Sequence, residues 1–401
     1  MGSKPFEYII IGGGLAGASA VSGIREIDRS GAILLVGAEK HLPYDRPPLT
    51  KKLWLGKKKV EEIFIKGRKY YDDNGITLLN GIKIVSINAG EKTVTDEKGE
   101  SYSYKKLLIA TGGIPRRLSI PGGDLEGIYY FRTLDDYLAI RQKSAQGASA
   151  LVIGGGFIGS EIAAALNVNG VNVTMLFPGS YIVDRVFPDY LGKVVQQEFV
   201  GKGITVLSGD KPVSIEKKDG EFIARTEKGR TVKAGILIAG IGIEPETALA
   251  GSASLKIENG VTVNEYLETS DPDIYAAGDN AYFPYSALGK RMRLEHWDNA
   301  LNQGRQAGRN MAGAHERYDY MPYFFSDLFE FGYEAVGEVD SQLETYADWI
   351  KENETGTVYY LKDGKVRGAM MCGIWEKVDQ ARELIKKGEH VDSLTLSGAI
   401  R

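Results

Sequence analysis

The sequence predicts an α/β fold with two doubly wound domains of one kind, followed by a smaller α+β domain. Three observations carry that prediction. A segment that reads as strand, glycine turn and helix near the start of the chain recurs 142 residues later, which is the mark of a duplicated unit. Glycine makes up 50 of the 401 residues, well above the usual share of about 7%, so the chain needs many tight turns or close backbone approaches. Beyond about residue 315 the charge balance changes: residues 316–401 carry a net −7 and the remainder +3.

Taken in order, Tyr8–Ala20 reads YIIIGGGLAGASA and Ala150–Ala163 reads ALVIGGGFIGSEIA. Each continuous apolar run suits a strand buried on both faces, and each enters G-x-G-x-x-G and then a helix of small residues. GITLL (75–79) is echoed by GITVL (203–207), and KKLLIATGG (105–113) by AGILIAGIG (234–242). The alternating residues between these blocks, with glycine turns, predict meanders. IPGGDLEGIYYFRTLDDYLAI (120–140) holds Pro and Gly and then a helical pattern, as a crossing between domains would. The final segment predicts strands around a turn at Lys362-Asp363-Gly364 and a helix over 378–387. The expected domains are therefore 1–115 with 243–314, 116–242, and 315–401.

Composition excludes several classes of function. With one cysteine, Cys372, the chain has no intramolecular disulfide, CxxC pair, Cys₄ zinc cage or cysteine-held iron–sulfur cluster. Redox chemistry would need a borrowed cofactor. His41, His296, His315 and His390 lie far apart with no H-x-x-x-H pattern, so no metal site is expected. A net charge of −4 is too mild to recruit nucleic acid by counterion release. No stretch reads as a membrane span, and MGSKPFEYIII enters an apolar strand with no signal-peptide pattern. A cytoplasmic protein is expected, with the choice between monomer and homodimer open.

In the first motif Gly12 permits the tight turn, Gly14 lets backbone N–H groups approach a pyrophosphate, and Gly17 allows helix and strand to touch. The next strand, AILLV (32–36), is followed by Glu39, placed to accept hydrogen bonds from an adenosine ribose or simply to sit in solvent. Gly154, Gly156 and Gly159 repeat the three roles. Their following strand, NVTMLF (172–177), ends in Pro178-Gly179-Ser180 without a carboxylate. Arg185 suits a 2′-phosphate and equally a surface charge. NADH against NADPH stays open, with a preference for NADH of less than about tenfold expected, and Gly179→Glu expected to increase it. Both domains are thus Rossmann-like dinucleotide-binding domains.

PYDRPPLTKKL (43–53), ATG (110–112), DIYAAGD (273–279), LEHWDNALNQGRQAGRNMAG (294–313), YFFSDL (323–328) and WEKVDQARELIKKGE (375–389) together make the chain resemble the two-dinucleotide-domain flavoprotein reductases. Within them it resembles the ferredoxin and rubredoxin reductases and apoptosis-inducing factor. The resemblance implies non-covalent FAD on the first motif and NADH or NADPH on the second. It also implies that Arg46 contacts the FAD pyrophosphate, that Ile84 holds the adenine through its backbone, and that Gly112 closes the adenosine pocket. Gly278 and Asp279 would meet the ribityl chain, although Asp279 also suits a helix N-cap. Phe157 and Ile158 would flank the nicotinamide, Gly242 would lie beside the nucleotide, and Glu295, His296, Trp297 and Phe325 would surround the isoalloxazine.

Where single-cysteine relatives of this superfamily carry their thiol, this sequence has Lys51, so disulfide, peroxide or persulfide reduction by a cysteine is excluded. Lys51 and Glu161 are the catalytic candidates: a cation near the flavin stabilises its anionic reduced ring, and a carboxylate paired with it orients the cation and the nicotinamide amide. An ion pair between them is expected on this resemblance. On residues alone, Lys51 is one of a run with Lys52 and Lys57–Lys59, and Glu161 is a first-turn carboxylate favoured by the helix dipole. The implied function is an FAD-dependent NAD(P)H oxidoreductase that passes electrons to a separate acceptor. That acceptor is a small redox protein such as ferredoxin or rubredoxin, or a small molecule such as a quinone, monodehydroascorbate or dioxygen. The alternative is a redox-gated interaction protein like apoptosis-inducing factor, with slow NADH oxidation.

Overall fold

The run Tyr8–Ile11 forms the central strand of a five-stranded sheet in the order Ile274–Ala276, Lys106–Ile109, Tyr8–Ile11, Ile33–Gly37, Ile76–Asn80, with every pairing parallel. A parallel strand is covered on both faces, which is why Ile9, Ile10, Leu34, Leu35, Leu107 and Leu108 carry no polar alternation and are buried. The computed structural model describes residues 3–401. The chain folds into two units, the first comprising the residues up to Asp45, Val60–Ile114 and Glu244–Pro322, and the second Arg46–Lys59, Pro115–Ile243 and Tyr323–Arg401.

In the first unit, helix Leu15–Ile27 packs on helix Trp297–Met311 with their backbones touching. A Cβ on Gly304 would stand 2.2 Å from the Ala16 carbonyl oxygen, and one on Gly308 2.1 Å from that of Ala20. The glycines in NQGRQAGRN are thus spent on helix packing. A smaller mixed sheet holds the antiparallel strands Ile84–Asn88, Thr93–Asp96 and Ser101–Ser103, with Lys4–Pro5 parallel to the last of them.

The second unit repeats the plan, with a parallel sheet in the order Ile128–Tyr129, Ile236–Ala239, Ser149–Ile153, Asn172–Phe177, Thr205–Ser208. The expected crossing helix runs Leu134–Lys143 and opens on a capping box between Thr133 and Asp136. The final segment forms an antiparallel sheet in the order Tyr323–Leu328, Phe331–Gly337, Lys365–Cys372, Thr355–Lys362, Glu344–Lys351, with helix Val378–Lys387 after it. Asp363 and Gly364, both at positive φ (52° and 67°), make the turn between its third- and fourth-placed strands, as a two-residue hairpin requires.

The expected second and third domains fall in one unit, and two segments lie on the other side of the expected boundaries. Residues 315–322 stay with the first unit, where Tyr318 donates from its backbone to the Glu265 carbonyl (2.7 Å) and from its hydroxyl to Asn299 (3.0 Å). Residues 46–59 leave it, because Trp54 is buried in the second unit. Its indole donates to the Leu49 carbonyl at 2.7 Å, its ring meets Tyr137 edge-on at 5.3 Å, and its carbonyl accepts from Asn169 at 3.2 Å.

Among the described residues no helix is long and apolar enough to cross a membrane, and no group of three or more His, Cys, Asp or Glu side chains is placed to hold a metal ion.

Candidate functional site

The two glycine motifs have one geometry. Gly12 lies at φ +127° and Gly154 at φ +126°, conformations that side chains disfavour. A Cβ on Gly12 would stand 2.1 Å from the Ala110 carbonyl oxygen, and one on Gly154 2.2 Å from that of Gly240. Gly17 and Gly159 press on the turn itself, at 2.0 and 2.2 Å from the oxygens of Gly12 and Gly154. Gly14 and Gly156, by contrast, face open space, with nothing within 4 Å of a Cβ. Each is the N-cap of its helix, without a side-chain cap and without an acidic residue in the first turn. Two helix N-termini thus keep their N–H groups and positive dipole ends for an anion. A dinucleotide pyrophosphate fits both cradles.

Around the first cradle, Tyr44 donates to the Glu39 carboxylate just past the strand end. Ile84 is buried at the start of its strand. Gly112, at φ +70°, turns the chain after strand Lys106–Ile109 and accepts from the Glu246 N–H at 2.9 Å. Gly278, at φ +87°, has its Cβ position 3.1 Å from the Ala16 methyl, and its N–H donates to Gln303 at 2.8 Å. Asp279 caps no helix: Ala281–Tyr285 after it is a strand, and its carbonyl accepts from Arg293 at 3.0 Å. Arg293 also holds Glu295 at 2.7 Å. His296 is the N-cap of helix Trp297–Met311, and burial drives its pKa down to about 4, so it is neutral. Trp297 donates from its indole to Asp45 at 2.7 Å.

In the second unit Lys51 and Glu161 meet at 3.1 Å with side chains only 10% and 7% exposed. Glu161 is the fifth residue of helix Phe157–Val168, beyond its first turn, so the helix-dipole reading does not account for it. Its carboxylate accepts from the Thr50 hydroxyl and from the Ser326 hydroxyl, each at 2.6 Å. Lys51 lies 4.5 Å from the centre of the Phe325 ring and 3.8 Å from Asp327. Its neighbours Lys52 and Lys57 are exposed, so Lys51 departs from the solvated-run reading. Phe157 meets Phe324 edge-on at 5.6 Å, while Ile158 is 43% exposed. Gly242, at φ +98°, accepts from the Arg116 N–H at 3.0 Å. Arg46 donates to the Arg132 carbonyl at 2.7 Å within this same unit. Thr50, Ser326 and Asp327 were not singled out from the sequence. Their signal was their place in the segments PYDRPPLTKKL (43–53) and YFFSDL (323–328), which also hold Lys51 and Phe325.

Cys372 is fully buried in the final sheet, and desolvation pushes its thiol pKa far up, leaving no thiolate. Cys372→Ser is expected to leave turnover unchanged while lowering the melting temperature, since a hydroxyl buried without a partner costs about 1–3 kcal/mol. Steady-state assay and thermal denaturation check this. Lost turnover in a folded variant would give the thiol a redox role.

Residues 6–304 match the family described as pyridine nucleotide-disulphide oxidoreductase, and residues 307–357 match "Apoptosis-inducing factor, mitochondrion-associated, C-term". The chain is 34% identical to apoptosis-inducing factor 1, mitochondrial, of Dictyostelium discoideum, over 98% of this chain and 80% of that one. It is 32% identical to the 5,5'-dehydrodivanillate O-demethylase ferredoxin reductase subunit of a Sphingobium species, over 98% and 96%. The covalent putidaredoxin reductase–putidaredoxin complex has a chain that superposes with a TM-score of 0.92 at 29% identity, covering 98% of this chain and 95% of that one. With a family match over most of its length and two glycine cradles shaped for dinucleotides, the chain belongs to the pyridine nucleotide-disulphide oxidoreductase family, as an FAD-dependent NAD(P)H oxidoreductase without a redox-active cysteine.

Proposed function

We propose that the protein takes hydride from a nicotinamide nucleotide at the second glycine motif and delivers the electrons to a carrier outside the chain, of the ferredoxin or rubredoxin kind. The observation that carries this reading is the buried Lys51–Glu161 pair, held by Thr50 and Ser326, on the helix that opens at that motif. Bound FAD supplies the conversion of a two-electron donor into one-electron transfers. The chain's own residues supply placement and charge. The N-terminus of helix Phe157–Val168 binds a pyrophosphate through unclaimed N–H groups. Lys51 holds a positive charge in a nearly dry setting, where it acts more strongly than in water. Glu161 sets the direction of that ammonium and is itself fixed by two hydroxyls, so the pair needs no rearrangement during transfer. The Phe325 ring lies 4.5 Å from the Lys51 ammonium and covers one side of it. The single thiol is sealed away, so electrons leave for an external partner.

The −7 balance of residues 316–401 disfavours an acidic carrier on that surface. Lys52 and Lys57 give the Arg46–Lys59 segment the opposite sign. Two relatives named above, a ferredoxin reductase subunit and putidaredoxin reductase, support a carrier of this kind. A second reading, a redox-gated interaction protein, is favoured by the match of 307–357 to the apoptosis-inducing factor C-terminal family.

Anaerobic stopped-flow separates the two. The NADH-reduced protein is mixed in turn with ferredoxin, rubredoxin, benzoquinone, monodehydroascorbate and dioxygen. An iron–sulfur carrier is expected to reoxidise it faster than dioxygen by about tenfold or more, a barrier difference of about 1.4 kcal/mol. Slow reoxidation by every acceptor would favour the second reading.

A further inference from the structure

We propose that Asp184 is the residue that reads the adenosine ribose of the nicotinamide nucleotide and makes the protein select NADH over NADPH. This rests on the second glycine motif being the nicotinamide-nucleotide site. In a doubly wound domain the ribose is read by a carboxylate at the end of the strand after the glycine turn. Here that strand is Asn172–Phe177, and the residues at its end, Phe177-Pro178-Gly179-Ser180, carry none. Phe177 is committed to packing: it is 2% exposed, and a Cβ on Gly155 would stand 2.6 Å from its ring.

The chain then turns back on the motif. Val183 donates its N–H to the Gly155 carbonyl at 2.7 Å. The next residue, Asp184, puts its carboxylate where a side chain at position 179 would begin: a Cβ on Gly179 would lie 2.2 Å from Asp184 Oδ2 and 3.2 Å from Oδ1. A carboxylate therefore does occupy the strand end, supplied from five positions downstream, and the glycine at 179 leaves it room.

The surrounding bonds hold it there. Val183 is buried at φ +56°, a conformation that strains a β-branched residue. It is retained because the Val183 carbonyl accepts from Val186 and Phe187 at 2.9 and 3.0 Å. Ser341 clamps the following residues, its hydroxyl donating to the Asp184 carbonyl at 2.6 Å and its N–H to that of Arg185 at 3.0 Å. A carboxylate carried on a backbone held in this way accepts from the 2′- and 3′-hydroxyls and repels a 2′-phosphate. Arg185, next to it, is exposed. The tertiary placement thus reverses two expectations from the sequence. The preference for NADH is strong, and Gly179→Glu by itself weakens binding, because the new side chain starts inside the Asp184 carboxylate.

Calorimetric titration of the FAD-loaded protein with ADP-ribose and with 2′-phospho-ADP-ribose tests this without turnover. The wild type is expected to favour ADP-ribose by about tenfold or more, Asp184→Asn to bring the two within about threefold, and Asp184→Glu to keep the preference. Gly179→Glu should weaken both ligands. The exchange Gly179→Glu with Asp184→Gly should restore selectivity by moving the carboxylate back to the strand end. An unchanged ratio in Asp184→Asn at an unchanged melting temperature overturns the proposal and leaves the nicotinamide site standing. Failure of both ligands to bind the wild type overturns the site and the proposal together.

Discussion

Replacing Lys51 or Glu161 singly by alanine is expected to slow flavin reduction by NADH about tenfold or more, and the double variant to be less impaired than the two losses combined. Taking one partner from a buried ion pair leaves a poorly compensated charge, at a cost of about 3–5 kcal/mol, whereas an exposed pair is worth about 1 kcal/mol or less. With 10% and 7% exposure this pair belongs to the first class. The two singles should differ. Lys51→Ala leaves a carboxylate that still accepts two hydroxyl bonds at 2.6 Å. Glu161→Ala removes an acceptor shared by three donors; Thr50 keeps the Pro47 carbonyl at 3.3 Å and Lys51 keeps Asp327 at 3.8 Å, while the buried Ser326 hydroxyl loses its 2.6 Å bond. Glu161→Ala is therefore expected to lose more stability and to weaken nicotinamide binding, with a changed charge-transfer absorbance. Lys51→Ala is expected to lower the flavin reduction potential. Anaerobic stopped-flow of the four proteins, with thermal melts alongside, measures the coupling. Additive effects, or single variants that reduce at the wild-type rate, would return both residues to the role of structural charges.

The glycines of the first motif should separate folding from cofactor binding. Gly12→Ala places a methyl at φ +127° and 2.1 Å from the Ala110 carbonyl oxygen, just past the end of strand Lys106–Ile109. Neither atom can yield without moving strand Lys106–Ile109 or strand Tyr8–Ile11, so the expected result is misfolded protein or a melting temperature lower by many degrees. Gly14→Ala meets nothing in the protein within 4 Å. Its methyl projects where a pyrophosphate would approach, so the variant should fold normally and purify with most of its FAD lost. The ratio of flavin absorbance to protein, read with the melting temperature, tests both. A Gly14→Ala protein that keeps full flavin content would move the pyrophosphate away from this helix end. Wild type that is colourless and takes up no added FAD would remove the site altogether.

The two glycine turns and the helix ends after them are legible in the sequence because their physics is local. A buried strand, a turn that only glycine can make and a helix end left without a cap follow one another within about ten residues, and each step dictates the next residue type. The hairpin at Asp363-Gly364 and the helix after Val378 were legible for the same reason. Asp279 shows the limit: a helix N-cap and a strand entry share the same local chemistry, and only the pairing of Ala281–Tyr285 with its neighbours chose between them.

Three arrangements depend on the tertiary structure, and the first of them, the Lys51–Glu161 pair, was expected on the family resemblance and not from the residues alone. Burial of Trp54 carries Arg46–Lys59 into the second unit and brings Lys51 to Glu161 across 110 positions, with Ser326 arriving from 165 positions beyond Glu161. Closure of the turn at Val183 returns a carboxylate to a strand end that the sequence shows as empty. The close approach of Phe177 to Gly155 shows that a strand-end aromatic is packing. By itself the sequence determined the fold class and the two glycine turns, because these depend on residue type and spacing. The identity of the charged groups that face one another was decided by long-range packing, because a buried charge takes its partner from whatever element the core brings within about 4 Å, and spacing along the chain holds no record of that.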